Sequence, residues 1–397
     1  MPICQPNDDM KKPLLLWLQG GPGKSSLFGQ FLENGPLGID PSGNLYYREH
    51  TLLKEFNIIY LDQPVGSGYS FDKNEKYPSS LEQASNHVIT FLEQFLEIFR
   101  EYKDRDFYIA GESYGARFAV GVAHKVMTNK SDQLSLKLKG VMLGVGFLFP
   151  LLDIINSTDS LYYTALLDEC RRNVFSHRFD TIQQLVDGKQ YPNATLLLSQ
   201  TVLNLRGKGE KSLFGKLTGF NNQGSIIVPR RPKEVLAYYH YANSTAFKKI
   251  IHVAYTRTLD GTRREIALQL ALHDFFHNHS KVLLHVLNNL HVLFYTAQLD
   301  DVFPAVNIEQ SFTELQWRGS QILKTAPRVP WHRENNSSLE LRGYVKQAGA
   351  LMYANVLFGG HHVSMDCSSA VSELYCKFLK FTKAPSPVPS PVEIPAC

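Results

Sequence analysis

The sequence predicts an α/β fold, with a mainly parallel central sheet flanked by helices and a helical, lid-like insertion. Short apolar runs point to the sheet, at residues 14–18, 57–61, 107–110, 140–143, 291–295 and 355–358. Each is too short for a helix and reads as a strand covered on both faces. Helical segments lie between them. The clearest spans residues 81–102, where Val88, Phe91, Leu92, Phe95, Ile98 and Phe99 recur at three- and four-residue steps. Strands alternating with helices are the pattern of a parallel sheet wrapped by helices.

The rhythm breaks between residues 148 and 240, a span that is helical at first and then rich in Gly, Lys and Asn. We read it as an insertion over the active face, which divides the core into residues 1–147 and 241–383. Residues 384–397 carry alternating prolines from Pro385 to Pro391 and predict an extended, disordered tail.

Composition bounds the function. The chain has 397 residues, 44% hydrophobic and 12% aromatic, enough for a large enzyme-like core. A net charge of +4 makes no case for nucleic acid. The densest basic stretch (Arg206, Lys208, Lys211 and Lys216, then Arg230, Arg231 and Lys233) reads as solvated surface before it reads as a polyanion site. Five cysteines include no C-x-x-C pair, so neither a zinc cluster nor a redox motif is expected, and the odd count leaves at least one thiol unpaired within the chain. No run has the length of a membrane-spanning helix.

The chemistry centres on Ser113. Gly111-Glu112-Ser113-Tyr114-Gly115 follows an apolar strand and precedes a helical segment, the setting of a G-x-S-x-G nucleophile elbow. A serine hydroxyl needs a histidine to take its proton, and that histidine needs an acid to fix its tautomer. On this scaffold the order is Ser, Asp, His, each at the carboxyl end of a strand. Asp300 and His361 meet both conditions. Asp301 and His362 adjoin them, and either aspartate has the alternative role of a helix cap. The oxyanion hole needs two convergent amides. Tyr114 supplies one by position, and the loop Gln19-Gly20-Gly21-Pro22-Gly23 is the source of the other.

The segments around these residues resemble the signatures of the serine carboxypeptidases. They are the run from Trp17 to Gly29 with Glu33-Asn34-Gly35-Pro36, the run from Asp62 to Phe71, and Gly111-Glu112-Ser113-Tyr114. Gln19 is most similar to the vitellogenic branch. The likeness runs from about Pro13 to Lys383. It implies an α/β-hydrolase that releases C-terminal amino acids from peptides through an acyl-enzyme, at acidic pH. Ser113, Asp300 and His361 would be the triad, and Gly21 and Tyr114 the oxyanion donors. Gln19, Gly20 and Glu112 would hold the substrate carboxylate. No metal or cofactor is required.

Several positions depart from the family pattern. Lys24 replaces a cysteine or small residue, Val145 and Phe149 alter the segment after residue 143, and Ser364 and Cys367 alter the run after His361. Gly115-Ala116 reverses the usual order, and the family's N-terminal segment is absent. These departures keep three alternatives open: a catalytically silent paralogue, or an esterase or acyltransferase on the same scaffold. A P-loop NTPase is a further rival, because Gly20-Gly21-Pro22-Gly23-Lys24-Ser25 follows a strand. Its first required glycine is Leu18, however.

Peptides are the expected partners, with no nucleic acid and no membrane, and a homodimer stays open. Seven N-x-S/T sequons, at Asn129, Asn156, Asn193, Asn243, Asn278, Asn335 and Asn336, favour a secreted or lysosomal glycoprotein. Residues 1–9 contain no apolar leader, so either the chain begins inside a longer protein or it stays in the cytosol.

Overall fold

Leu14–Leu18 forms strand β1, and all five residues are buried because the strand lies inside the sheet. Alternation sends Leu14, Leu16 and Leu18 into one apolar cluster and Leu15 and Trp17 into another. The same division recurs in β5 (Asp106–Glu112), with Phe107 and Ile109 on one side and Tyr108 and Ala110 on the other. Two cores on opposite faces of one sheet explain why these strands read as unbroken apolar runs. The computed structural model describes residues 11–74, 76–128, 134–203, 211–259, 264–333 and 340–383.

The remaining strands are β2 (Leu37–Ile39), β3 (Leu45–Tyr47), β4 (Asn57–Leu61), β6 (Lys137–Gly144), β7 (His291–Ala297), β8 (Val329–His332), β9 (Leu341–Ala348) and β10 (Leu351–Val356). Eight of these ten strands, β1 and β5 among them, form one sheet in the order β4-β1-β5-β6-β7-β10-β9-β8. The pairings from β4 to β10 are parallel, and those of β10 with β9 and β9 with β8 are antiparallel. This is an α/β-hydrolase sheet, mainly parallel as the sequence predicts. The antiparallel strands and the small β2–β3 hairpin fall outside the apolar runs. Residues of β9 are mostly half-buried, and β3 is exposed, so neither carries the double-sided signature.

The run at 355–358 is displaced from its strand. β10 spans Leu351–Val356, opposite β9 across a turn in which Gly349 has φ +57°. Leu357 and Phe358 lie beyond it, and Phe358 is exposed with φ +63°. The amphipathic segment at 81–102 is a helix over Leu81–Ile98 (α1), capped by the Ser80 side chain, and a short 3-10 turn covers Arg100–Tyr102. The second helix, Tyr114–Thr128 (α2), packs against α1 and β5.

Between β6 and β7 the described residues are helical or irregular, and the expected boundary at 240 falls inside the helix Lys233–Ala242. The helix Ser280–Asn289 contacts α2 and leads into β7. Part of this excursion forms its own apolar cluster, in which Val235, Tyr238 and Phe247 pack on Phe28, Phe31 and Leu32. The Pro-rich tail lies outside the described residues, as do Cys4 and Cys397. Cys170 and Cys367 are free thiols.

Candidate active site

β1, β5, β6, β7 and β10 end together, so the loops after them converge on one edge, where ligands bind in open α/β sheets. Ser113 follows β5 directly and has φ +57°, a left-handed conformation that is costly for serine and typical of an elbow. The flanking glycines are there for space. A Cβ on Gly111 would come within 2.3 Å of the Gly115 carbonyl oxygen, and one on Gly115 within 2.1 Å of the Leu18 oxygen. The strained turn is secured by backbone bonds from Ser113 N to Gly144 O, 2.9 Å, and from Phe147 N to Ser113 O, 3.1 Å.

The three predicted triad residues meet. Ser113 Oγ lies 2.9 Å from His361 Nε2, and His361 Nδ1 lies 2.9 Å from Asp300 Oδ2. Asp300 Oδ1 accepts from the amides of Val302, 2.8 Å, and Phe303, 3.1 Å, which fixes the carboxylate at the start of the loop after β7. The neighbouring Asp301 points elsewhere and accepts from Gly224 N at 2.6 Å. Burial, and then the Asp300 charge beside it, push the Asp301 carboxyl well above the usual carboxylate range. Gly224 in turn accepts the His361 amide at 2.5 Å, so a loop between β6 and β7 holds the histidine backbone. Sequence reasoning missed Gly224, since an isolated glycine in a polar stretch carries no such signal.

Gly21 lies on the loop after β1, and Tyr114 is the first residue of α2. Gly20 abuts the elbow so closely that a Cβ there would meet the Glu112 carbonyl oxygen at 2.6 Å.

A buried pair of carboxyls forms the next part of the site. Glu112 Oε1 accepts from Tyr295 OH at 2.9 Å and from Ser364 Oγ. Glu33 Oε1 accepts from Gln19 Nε2 at 3.4 Å, and Gln19 Oε1 accepts from Trp17 Nε1 at 2.9 Å. The Oε2 atoms of Glu33 and Glu112 are both buried, and neither has a donor among the described residues. The two carboxyls interact directly. Burial first, then Glu112, push Glu33 well above its ordinary range, while burial raises Glu112 against the pull of Ser364 and Tyr295. Two adjacent carboxyls out of water favour sharing a proton over double ionisation. The Glu33 signal was present in the Glu-Asn-Gly-Pro run, but no spacing rule ties that run to Glu112.

The departures from the family pattern are absorbed locally. Ser364 is a ligand of Glu112, and Asp366 Oδ2 accepts from Gly360 N at 2.9 Å, which steadies the turn before His361. Cys367 donates to Leu357 O at 3.4 Å, and burial raises its thiol to about 11, so it is inert at ordinary pH. Phe149 is core, 4.8 Å from the ring of Phe312, and the Val145 amide donates to Tyr295 O at 2.8 Å. Lys24 lines no phosphate loop. Its Nζ lies 3.4 Å from His362 Nε2 and 4.3 Å from the centre of the Phe28 ring, and Ser25 donates to Asp62 at 2.5 Å.

A Ser–His–Asp line of this order, at the carboxyl edge of a mainly parallel sheet, defines a serine hydrolase of the α/β-hydrolase fold. Within that class the chain belongs to the serine carboxypeptidases, whose family model, Peptidase_S10, matches residues 3–381. It is 30% identical over 377 residues to the probable serine carboxypeptidase CPVL of Homo sapiens, covering 94% of this chain and 78% of that protein. It is 29% identical to the vitellogenic carboxypeptidase of Aedes aegypti, with 91% and 75% covered, which supports the vitellogenic-like branch. The crystal structure of Kex1(delta)p, a prohormone-processing carboxypeptidase from Saccharomyces cerevisiae, shares the fold at a TM-score of 0.76 and 21% identity, with 95% and 85% covered. The protein is a serine-type carboxypeptidase. Neither a nucleotide-binding nor an esterase reading is needed.

Proposed function

We propose that Ser113, His361 and Asp300 carry out the peptidase reaction as a triad. Ser113 Oγ attacks the carbonyl carbon of the last peptide bond and passes its proton to His361 Nε2. The C–N bond breaks as His361 returns that proton to the leaving amino acid. A water, deprotonated by His361, then releases the acyl group and restores Ser113. Asp300 keeps the Nδ1 proton of His361 in place, and the amides of Gly21 and Tyr114 receive the oxyanion. The observation that carries this reading is the continuous line from Ser113 through His361 to Asp300, with both separations at 2.9 Å.

The substrate's terminal carboxylate is held by Gln19, Gly20 and Glu112, with Glu33 completing the group. A third carboxyl joins two buried ones only while protons are shared, so peptide hydrolysis belongs to acidic pH. The helical excursion, including residues 148–240, forms the wall over this edge. We place the protein in the secretory pathway, secreted or lysosomal, on the strength of its sequons. Asn156, Asn193 and Asn278 are exposed, although Asn193 Nδ2 donates to Gln190 Oε1 at 3.1 Å, and Asn243 Nδ2 is engaged with Tyr239 O and Leu259 O at 3.1 and 2.9 Å. Asn129, Asn335 and Asn336 lie outside the described residues. Among the described residues no helix is long and apolar enough to cross a membrane.

The test is fluorophosphonate labelling from pH 4 to 8, with a blocked dipeptide bearing a free C-terminus as substrate. Labelling that disappears in Ser113→Ala and His361→Ala, together with release of the C-terminal residue on the acid side, is the expected result. A folded protein that never labels would refute the reading.

A further inference from the structure

Lys24 brings a positive charge to the carboxylate end of the site, and no carboxylate among the described residues pairs with it directly. The side chain is half-buried on the loop after β1, four residues beyond Gly20. Its ammonium has three donor hydrogens, yet its one hydrogen-bonding partner among the described residues is His362 Nε2 at 3.4 Å. The Phe28 ring covers one side at 4.3 Å. No carboxylate of the described residues lies within ion-pairing distance of it; Glu33 and Glu112 act on it from further away, and so does the cation Arg231. Burial lowers Lys24 to about 8, with Glu33 opposing, so it stays charged at acid and neutral pH.

His362 does not contribute a second charge. Burial, and then the adjacent Lys24, push its imidazole well below the ordinary value, so the ring is neutral and its Nε2 accepts. Its Nδ1 faces Glu33 Oε1 at 3.7 Å, and its ring lies 5.8 Å from that of His361 and 5.0 Å from Phe28. This geometry locates Lys24 relative to a bound peptide. The leaving residue has its nitrogen at His361 and its terminal carboxylate at Gln19, Glu33 and Glu112. On that reading, the residues nearest its side chain include His362, Phe28 and Lys24, which adjoin one another beside Glu33.

We propose that Lys24 is a specificity-determining residue that selects substrates ending in an acidic amino acid, its ammonium pairing with the side-chain carboxylate of the leaving residue. The inference rests on the carboxypeptidase reading of Ser113 and its carboxylate site. It goes beyond that reading because the terminal carboxylate is common to all peptides, whereas a second carboxylate is present only in a C-terminal Asp or Glu. A half-buried cation with spare donors favours an anion over its neutral isostere, since a neutral partner leaves the charge uncompensated.

The experiment compares kcat/KM for two blocked dipeptides that differ only in ending with Glu or Gln, using the full chain and Lys24→Met and Lys24→Gln. The wild type should favour Glu at least fivefold. In both variants that ratio should collapse toward one or below, while the rate on the Gln peptide changes less than twofold. Fluorophosphonate labelling at Ser113 establishes that each variant is folded. A wild-type preference for Gln, or a Glu preference that survives both substitutions, would overturn the assignment. An equal loss on both peptides would show that Lys24 only props up His362, which also overturns it. Wild-type protein that labels but hydrolyses neither peptide would remove the carboxypeptidase reading of the site, and the Lys24 assignment with it.

Discussion

Tyr114 donates its hydroxyl to Asp274 across 2.5 Å inside the core, which ties the residue beside the nucleophile to the helical excursion. Asp274 also accepts from Arg117 Nη1 at 2.7 Å, from the Leu81 amide at 3.1 Å, and pairs with His279 Nε2 at 2.9 Å. Arg117 reaches the Phe147 carbonyl as well, at 3.2 Å, and the Phe147 amide donates to Ser113 O. The elbow is thus braced from behind by one buried carboxylate that four groups share.

Removing that carboxylate leaves the Arg117 charge buried and uncompensated. Asp274→Asn should cost about 3–5 kcal/mol, the usual range for breaking a buried pair from one side. Tyr114→Phe deletes one donor and leaves the ion pair, so its cost should be about 1–3 kcal/mol. Urea unfolding of both variants provides the check, and equal losses would contradict the ranking.

Asp300 and Asp301 are adjacent in sequence and opposite in role. Asp300→Asn should lower kcat roughly 10⁴-fold, because an amide holds the wrong tautomer of His361. Asp301 is favoured in its neutral form and accepts one amide, a duty asparagine can perform. Asp301→Asn should therefore retain kcat within about tenfold, a loss of at most ~1.4 kcal/mol. Steady-state kinetics on an ester substrate, which bypasses carboxylate recognition, separates the two. Comparable losses would mean that the acid of the triad has been misassigned.

The Glu33–Glu112 pair sets a pH limit for peptides alone. Peptidase kcat/KM should fall as pH rises through the titration of the pair, while hydrolysis of a neutral ester continues past that point. Ser364 and Tyr295 pull the Glu112 carboxyl down by donating to its ionised form. Ser364→Ala should consequently let the pair keep its proton to higher pH, moving the alkaline limb of the peptidase profile upward. A limb that stays put, or moves downward, would argue against the shared proton.

Much of this site was legible in the sequence. Ser113, Asp300 and His361 could be placed because each follows an apolar strand, and the chain order of the three is diagnostic on this scaffold. Glu33, Tyr295 and Gly224 were not assigned a role because their work depends on contacts between residues far apart in sequence, as in Tyr295 to Glu112 at a separation of 183 and Gly224 to Asp301 at 77. Periodicity reports which face is buried, not which buried atom meets which. The same reasoning explains why β1 and β5 were found and β9 was not. Central strands have cores on both sides, whereas β9 lies between two antiparallel neighbours with half-buried residues along much of its length.

Folding should favour mildly acidic conditions. Glu33, Glu112, Asp62 and Asp301 are all raised above their ordinary range, in each case chiefly by burial. Below the pKa of an unfolded carboxyl, about 4, both states are protonated and the stabilising contribution is complete. As pH rises, the unfolded chain ionises first, and stability drains away until the folded carboxyl also ionises, at about 1.4 kcal/mol per unit of pKa difference. On the acid side two groups act in the opposite direction. Asp274 is held well below its ordinary value, with His279 and Arg117 outweighing burial, and His362 is held neutral by burial. Their contributions are lost as pH falls through the folded pKa of Asp274 and below the unfolded pKa of His362. The melting temperature of Ser113→Ala, chosen to suppress self-digestion, should therefore pass through a maximum on the acid side of neutrality and decline toward pH 8. Adding Asp301→Asn removes one ionising group and should flatten the alkaline limb without altering the acid one. A melting temperature that climbs steadily to pH 8, or an alkaline limb indifferent to Asp301→Asn, would show that these buried carboxyls are ionised in the folded protein.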